Sequence, residues 1–365
     1  MQSIWERANP QLRELKVYQP GKPIEETARE LGCDPSEIVK LASNENPLGP
    51  SPEALAAMRD ALENAHLYPD GGSYYLRDAL AQKLQVAPEN LIIGNGSNEL
   101  IELLAHGFLQ NGDAIVTSEH AFVAYKIIAR LFGARTIEAP HHNYAHDLDA
   151  ILGAIDDNTE LMFIANPKNP TGTLLSDEEI AEFMTRVPEN VITIFDEAYY
   201  EFLDNPPDTL RYIRAGRNVV TLRTFSKIHG LAGLRVGYAI AKPELIEVMQ
   251  KTREPFNVNS IAQIGALAAL RDEEHQRITK KIVDDGRKFF EREFAAMGLK
   301  FIPSAGNFIL VHVADGATVF PAMLQQRVIV RPMNGYHLRE WVRITIGTME
   351  QNRKCISALR KVLKK

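Results

Sequence analysis

The chain has 365 residues, of which 45% are hydrophobic and 24% are charged, and its 41 basic and 47 acidic residues leave a formal net charge of −6. This composition is typical of globular proteins and excludes the disordered and collagen-like classes. The chain has only two cysteines, which excludes a disulfide-rich protein. The acidic balance provides no basic surface for nucleic acid or anionic lipid, so we expect neither as a partner. The length favours about two domains.

The beginning of the chain carries no targeting signal that we recognise. Residues 1–16 are charged throughout and lack the apolar segment of a signal peptide. No apolar run approaches the roughly 18 residues that a membrane-spanning helix needs. We therefore expect a cytoplasmic protein that does not associate with membranes.

From about residue 50 to residue 250, short β-branched runs alternate with segments of helical periodicity. The runs that predict strands lie at 91–94, 114–119, 136–140, 161–166, 191–197, 218–224 and 236–241. Residues 98–109 present one apolar face and predict a helix, and Ser176 and Glu179 have the capping-box spacing of a helix start. This alternation predicts an α/β fold whose mainly parallel sheet is covered by helices on both faces.

After Pro255 the pattern changes. A charged helical stretch at 261–297 is followed by three strand-like runs at 301–313, 327–333 and 341–347. This part predicts a smaller α+β domain. We expect an N-terminal segment at 1–49, a large domain at 50–260 and a small C-terminal domain at 261–365.

Three predicted strands end in polar residues that the strands themselves do not need. The run at 191–197 reaches Asp196, the run at 218–224 leads to Lys227, and the run at 161–166 leads to Asn169. Ligands of open parallel sheets bind outside the carboxyl ends of the strands. We therefore expect a carboxylate, an amine and an amide to converge at this edge of the sheet.

Two features of the sequence suit a phosphate group. Thr224, Ser226 and Arg235 place two hydroxyls and a guanidinium close to Lys227 along the chain. A glycine-rich turn precedes the helix at 98–109, where backbone N–H groups suit an anion, although an ordinary strand–helix turn is the alternative. The residues of interest in this turn are Gly96, Ser97 and Asn98.

A phosphate site beside an amine and a carboxylate indicates pyridoxal phosphate. This cofactor needs an amine for covalent attachment, an acidic partner for its ring nitrogen and anchors for its phosphate. Asp196 would keep the ring nitrogen protonated, and Tyr199 and Asn169 would hydrogen-bond the phenolic oxygen. Phe122, which follows the run at 114–119, would cover the face of the ring.

Eight motifs then occur in the order and spacing of one enzyme family. They are LASNENPLGP at 41–50, YPD at 68–70, GNGSNE at 94–99, ANPKNPTG at 165–172, DEAY at 196–199, TFSK at 224–227, GLRVGY at 233–238 and VRITIGT at 342–348. Together they resemble the fold-type I aminotransferases that depend on pyridoxal phosphate, and most closely the histidinol-phosphate aminotransferase branch. The resemblance spans residues 18–348. It implies a large three-layer domain that binds the cofactor and a small domain on which the N-terminal segment packs.

The resemblance implies a role for each matching residue. Lys227 would bond covalently to the cofactor and move the proton, Asp196 would pair with the ring nitrogen, and Tyr199 would assist at the phenolic oxygen with Asn169. The residues that would hold the phosphate are Ser97, Asn98, Thr224, Ser226 and Arg235. The family also forms homodimers with shared active sites, in which Tyr68 would reach the phosphate of the neighbouring subunit's cofactor.

The resemblance further implies an amino donor and 2-oxoglutarate as substrates. Arg343 would bind a carboxylate and, with Arg331 and Tyr18, the phosphate of histidinol phosphate, while Asn46 lies in a segment that the family places over the substrate. Arg343 lies inside a predicted strand, where burying an unpaired guanidinium would cost several kcal/mol, and this favours a functional role. Arg331 is interpreted equally well as an exposed charge, and Tyr18 as a packing residue.

Some alternatives stay open. Phe122 replaces the tyrosine expected in this branch, so a stacking ring is kept and a hydroxyl is lost. An aromatic amino-acid or prephenate aminotransferase, or a decarboxylase of the same fold, would use the same cofactor, and the fold does not decide among them. A non-catalytic sensor of this fold would need an added DNA-binding domain. We expect no metal site, because His141, His142 and His146 lie in a polar loop without ligand spacing.

Overall fold

The computed structural model describes residues 3–13, 15, 17 and 20–364. In this part of the chain the helices are α1 Ile4–Arg7, α2 Ile24–Leu31, α3 Pro52–Ala61, α4 Tyr74–Leu84, α5 Ser97–Phe108, α6 Val123–Leu131, α7 Leu148–Gly153, α8 Asp177–Arg186, α9 Leu210–Arg214, α10 Pro243–Thr252, α11 Ser260–Arg271, α12 Glu273–Ala296, α13 Gly316–Gln325 and α14 Met349–Leu363. The strands are β1 Val39–Lys40, β2 Leu91–Gly94, β3 Ala114–Ser118, β4 Arg135–Ala139, β5 His141–His142, β6 Ala145–His146, β7 Thr159–Ala165, β8 Ile192–Asp196, β9 Val219–Thr224, β10 Gly237–Ala241, β11 Phe301–Ile302, β12 Phe308–His312, β13 Val328–Ile329, β14 Arg331–Pro332 and β15 Trp341–Thr345. Every helix in these residues is too short or too polar to cross a lipid bilayer.

The main sheet has, among the described residues, seven strands in the order β2-β10-β9-β8-β7-β3-β4. All neighbouring pairs are parallel except those of β10, which runs antiparallel to β2 and β9. Leu91 and Ile93 of β2 belong to an apolar cluster on one face, and Ile92 belongs to the cluster on the other face. The prediction of a mainly parallel sheet covered by helices on both faces is confirmed.

Each predicted run in this region corresponds to one strand of the main sheet, and the ends agree within two residues. The strands were recognisable because burial on both faces requires nearly continuous apolar runs. The predicted capping box is also present: the Ser176 hydroxyl accepts a hydrogen bond from the Glu179 N–H at 3.1 Å, and the Glu179 carboxylate accepts one from the Ser176 N–H at 2.7 Å.

The small sheet consists, in the described part of the chain, of β11, β12, β15 and β14, which are antiparallel. Three predicted elements are divided. The run at 301–313 forms β11 and β12. The run at 327–333 forms β13, which pairs with β1, and β14, which joins the small sheet. The predicted helix at 261–297 is broken at Asp272, whose side chain accepts a hydrogen bond from His275 N–H and thereby caps α12.

The break at Asp272 bears on the domain boundary. Ala262 and Ala266 of α11 belong to a core cluster of the main sheet, whereas Val283 and Phe290 of α12 pack in the cluster of the small sheet. We therefore propose Asp272 as the boundary between the large and small domains, in place of 260/261. The division into a segment at 1–49 and two domains otherwise stays a prediction.

The junction of β10 with the start of α5 allows a test of the packing. A Cβ atom on Gly237 would lie 2.6 Å from the Ser97 nitrogen and 2.9 Å from the Arg223 carbonyl oxygen, and neither backbone atom can rotate away. We expect Gly237→Ala to lower the free energy of unfolding by roughly 1–3 kcal/mol, measured by urea denaturation. Gly233→Ala is the matched control, because nothing lies within 4 Å of a Cβ there. Equal losses in the two variants would contradict the argument.

Candidate active site

A cavity of about 270 Å³ opens at the carboxyl ends of the central strands of the main sheet. Most of the site residues predicted from the sequence line it. They are Ser97, Asn98, Phe122, Asn169, Asp196, Tyr199, Thr224, Ser226, Lys227 and Arg235. The cavity exists because β7, β8 and β9 end side by side, as expected for a parallel sheet.

Lys227 follows β9 after two intervening residues, and its side chain lines the cavity. Its amino group donates a hydrogen bond to the Ser43 carbonyl oxygen at 3.3 Å. Burial lowers the pKa of Lys227 to about 8, and the positive charges of Arg343 and Arg235 act in the same direction. A neutral amine is a nucleophile and a base, so Lys227 is available for both roles near neutral pH.

Asp196 is the last residue of β8 and is buried. Its Oδ2 atom accepts a hydrogen bond from the Tyr125 hydroxyl at 2.6 Å, and its Oδ1 atom accepts one from the Ala198 N–H at 3.3 Å. Burial raises the pKa of Asp196, while these two hydrogen bonds and the charge of Lys227 oppose the rise. A carboxylate supported in this way can hold a proton on a heteroaromatic nitrogen.

Tyr199 is held by a residue that the sequence did not single out. The Asn44 side chain donates a hydrogen bond to the Tyr199 hydroxyl oxygen at 2.8 Å. Burial raises the pKa of Tyr199 to about 12, so the hydroxyl keeps its proton and can donate it. Asn44 has φ 55° and is itself held by Thr345, whose hydroxyl accepts a hydrogen bond from the Asn44 N–H at 2.9 Å.

The structure does not bring Asn46 to the cavity lining. Its amide nitrogen donates to the Ile228 carbonyl oxygen at 2.7 Å and to the Thr279 hydroxyl at 3.2 Å, and its Oδ1 atom accepts from the Leu48 N–H at 2.8 Å. These contacts give Asn46 a structural place in the turn. Two other residues of the same motif, Ser43 and Glu45, do line the cavity.

One end of the cavity has the donors that a phosphate requires. Thr224 and Ser226 are joined by a hydrogen bond of 3.0 Å between their hydroxyls, and the Arg235 guanidinium donates to the Ser226 hydroxyl at 3.4 Å. Gly96 has φ +82°, and a Cβ on it would lie 2.3 Å from Nη2 of Arg235. Glycine is therefore required at position 96, where the Arg235 guanidinium lies against the turn. The helix α5 begins at Ser97, and the backbone N–H groups of its first turn lie at the same end of the cavity.

Arg343 lies on β15, and its side chain is buried. Its guanidinium donates to Asn169 Oδ1 at 2.5 Å and to the Ala42 carbonyl oxygen at 3.0 Å. Arg331 of β14 is the residue directly opposite Arg343 in the small sheet. Its side chain lines a neighbouring groove between α6 and the small sheet. The structure thus places both predicted arginines on one face of adjacent strands.

Two predicted residues lie elsewhere. Tyr68 does not line the cavity of its own chain; it is 83% exposed, and its ring stacks on Phe256 with centroids 4.9 Å apart. Tyr18 lies outside the described residues. The predicted stacking residue, Phe122, caps the start of α6 and meets Tyr125 edge to face at 5.7 Å.

One group among the described residues has ligand atoms close enough for a metal ion, and it differs from the histidines considered in the sequence. Glu119, His120 and His141 offer ligand atoms within 4.8 Å of one another. However, Nδ1 of His141 accepts a hydrogen bond from the Tyr144 N–H at 3.0 Å, so in the neutral ring the proton is on Nε2. Burial lowers the pKa of both histidines, and the charge of the buried Lys168 acts in the same direction and would also repel a cation. The absence of a metal site stays a prediction.

Comparison with known proteins decides the family. Residues 36–359 match the family model described as aminotransferase class I and II. The chain belongs to this aminotransferase family. Among curated relatives of the aminotransferase, a histidinol-phosphate aminotransferase from Akkermansia muciniphila is 53% identical over 362 residues, which cover 99% of this chain and 100% of the relative. A histidinol-phosphate aminotransferase from Moorella thermoacetica is 47% identical over 353 residues, which cover 96% of this chain and 91% of the relative.

A solved structure agrees with the aminotransferase fold over nearly its whole length. The histidinol-phosphate aminotransferase from Sinorhizobium meliloti, in complex with pyridoxal-5′-phosphate, superposes with a TM-score of 0.89 at 27% sequence identity. The superposition covers 98% of each chain. The resemblance inferred from the eight motifs is confirmed.

The burial of Lys227 predicts how a reaction of its amine with pyridoxal phosphate, the cofactor expected from the sequence, would depend on pH. Only the neutral amine would attack the aldehyde, and burial lowers the pKa of Lys227 to about 8. We expect the rate of capture by the apoenzyme to rise with pH and to level off above about 8. Stopped-flow absorbance of the lysine-bound cofactor measures this rate.

Two variants complete this experiment. Lys227→Ala should show no covalent absorbance at any pH. Lys168→Met removes a second buried lysine, whose pKa is lowered to about 7, and should keep the same pH dependence as the wild type. Covalent capture by the Lys227→Ala variant would contradict the assignment.

Proposed function

We propose that this aminotransferase transfers the amino group of L-histidinol phosphate to 2-oxoglutarate in the cytoplasm, which gives imidazole acetol phosphate and L-glutamate in histidine biosynthesis. The observation that carries the proposal is the pair Arg331 and Arg343, placed directly opposite each other in the small sheet. Two like charges in such a pair are destabilising, and a bound anion would offset their repulsion. The names of the near full-length relatives support the same substrate.

We infer that the cofactor is pyridoxal phosphate, because the donor set of the cavity fits its three ends. The Thr224 and Ser226 hydroxyls, the Arg235 guanidinium and the start of α5 suit the phosphate. Asp196 suits the ring nitrogen, and Lys227 supplies the amine. When bound, the cofactor takes up the electron pair that remains when a substrate Cα–H bond breaks.

The residues of this chain supply the acid–base work. Lys227, with a pKa lowered to about 8, is able to take the proton from the substrate Cα near neutral pH. The Tyr199 hydroxyl keeps its proton and acts as a donor, with Asn44 fixing its direction. Arg343 holds the substrate anion, for which it would exchange its hydrogen bond to Asn169.

A phosphate and a carboxylate are distinguished by charge and by the number of acceptor oxygens. One guanidinium satisfies a carboxylate in a two-point contact, whereas a dianionic phosphate has acceptors for a second guanidinium. Arg343 alone would serve 2-oxoglutarate or an aromatic amino acid. Arg331 beside it is therefore the feature that favours a phosphorylated donor.

The donor preference tests this proposal directly. We expect kcat/KM with 2-oxoglutarate to be higher for histidinol phosphate than for phenylalanine or tyrosine. Arg331→Gln should lower kcat/KM for histidinol phosphate by roughly 10- to 100-fold and for phenylalanine much less, because a charge-assisted contact is lost with one donor only. Arg339→Gln is the matched control, since its side chain is 75% exposed and pairs with Asp315. A preference for phenylalanine in the wild type would contradict the proposal and favour an aromatic aminotransferase.

We also propose a homodimer in which Tyr68 completes the partner subunit's site. Tyr68 is exposed, stacked on Phe256, and lies apart from the cavity lining of its own chain. A large aromatic surface of this kind is typical of an interface. Phosphate binding by its hydroxyl would explain why a tyrosine, rather than a purely apolar residue, occupies this position.

Hybrid dimers test this arrangement. Adding the inactive Lys227→Ala variant to the weakened Tyr68→Phe variant should raise total activity after subunit exchange, because each mixed dimer contains one site with both Lys227 and Tyr68. Steady-state assays before and after exchange measure the gain. The double variant Lys227→Ala/Tyr68→Phe should give no gain. If adding the Lys227→Ala variant does not raise the activity of the Tyr68→Phe variant after exchange, the result would contradict a shared site.

A further inference from the structure

Tyr125 stands out as a buried polar group with no role in the function proposed above. It lies in the first turn of α6, only 1% exposed, one helical turn after Phe122. Its ring stacks on Phe163 of β7 with centroids 4.5 Å apart and an angle of 14°, and it meets Phe122 edge to face. Two aromatic contacts at different angles fix the ring and therefore the direction of its hydroxyl.

The fixed hydroxyl meets the carboxylate at the end of β8. The distance between the Tyr125 oxygen and Asp196 Oδ2 is 2.6 Å, which is the length of a charge-assisted hydrogen bond. The other oxygen, Oδ1, has only the longer contact of 3.3 Å with the Ala198 N–H. Asp196 is therefore held mainly from one side, and both residues line the cavity.

We propose that Tyr125 is a positioning residue, whose hydroxyl orients the Asp196 carboxylate and stabilises its negative charge for pairing with the ring nitrogen of the cofactor. The inference rests on the proposed role of Asp196 and extends it to a second residue. An anionic partner keeps a pyridine nitrogen protonated, whereas a neutral carboxylic acid does so much less well. Tyr125 acts on the cofactor only through Asp196.

The surroundings of Asp196 show why such a donor matters. Burial favours the neutral carboxylic acid, and Tyr125 is the first of the groups that oppose this effect, ahead of the Ala198 N–H and Lys227. When Lys227 gives up its proton, its charge no longer favours the Asp196 carboxylate. The Tyr125 hydroxyl, at 2.6 Å, is then the shorter of the two hydrogen bonds that still do so, and the Ala198 N–H, at 3.3 Å, is the longer.

A purely structural role is the alternative, because a buried tyrosine hydroxyl needs some acceptor. Binding of pyridoxamine 5′-phosphate to the apoenzyme separates the two roles, since this probe forms no covalent bond with Lys227. A second probe is the analogue with C–H in place of the ring nitrogen. The ratio of the two dissociation constants, measured by calorimetry, reports the nitrogen contact alone, and a general loss of folding stability cancels from it.

We expect the wild type to prefer pyridoxamine 5′-phosphate over the analogue and Tyr125→Phe to reduce this preference roughly tenfold. Asp196→Asn should reduce it at least as much. Tyr238→Phe is the matched control, because this tyrosine is also buried in the main sheet but does not line the cavity, and it should keep the wild-type ratio.

The outcomes distinguish the inference from the function on which it rests. A wild-type ratio in Tyr125→Phe beside a reduced ratio in Asp196→Asn would overturn the role of Tyr125 alone. If Tyr125→Phe weakens the binding of both probes equally, the role of Tyr125 toward Asp196 would also be overturned, and only a structural role would remain. A wild-type ratio in Asp196→Asn would overturn the assignment of Asp196 and the inference together.

Discussion

The burial of ionisable side chains at the carboxyl edge of the main sheet is the constraint on which the site depends. Burial raises the pKa of Asp196 and lowers that of Lys227, so burial alone would make both groups neutral. Their neighbours act unequally on the two groups. At Asp196 the Tyr125 hydroxyl, the Ala198 N–H and the charge of Lys227 all oppose the effect of burial, whereas at Lys227 the charges of Arg343 and Arg235 add to it and those of Glu45 and Asp196 oppose it. The cavity thus contains a hydrogen-bonded carboxyl group and an amine that loses its proton more easily than an exposed lysine does.

The strand β15 of the small sheet makes two contacts beside this cavity. Arg343 contacts Asn169 in the loop after β7, and Thr345 holds Asn44, which donates to Tyr199. Residues two apart on a strand share a face, so both contacts point to the same side. The small sheet, the N-terminal segment and the main sheet are thus joined at residues that line the cavity. Any shift of one sheet relative to the other changes both contacts together.

The sequence predicted those features that depend on local pattern. The strands of the main sheet were predicted because both of their faces are buried, and Asp196, Lys227 and Asn169 because they follow such strands. Asn44 and Asn46 could not be told apart, since the difference lies in the φ of Asn44 and in its contact with Thr345, which is 301 residues away in the chain. Tyr125 reads as an ordinary core aromatic on α6. The break at Asp272 was missed because a capping aspartate looks like any charge in a charged helix.

The adjacent carboxylates Asp196 and Glu197 have different partners and therefore different roles. Both are buried, yet Glu197 uses its two oxygens on the Thr209 hydroxyl at 2.6 Å and on Nε of Arg223 at 2.9 Å, and Arg223 lies 3.4 Å from the centroid of the Tyr200 ring. Such a buried ion pair adds little net stability compared with apolar packing, but breaking it is costly. It joins the ends of β8 and β9, which carry Asp196 and Thr224. One carboxylate therefore fixes the strand ends, and this leaves the other free to face the cavity.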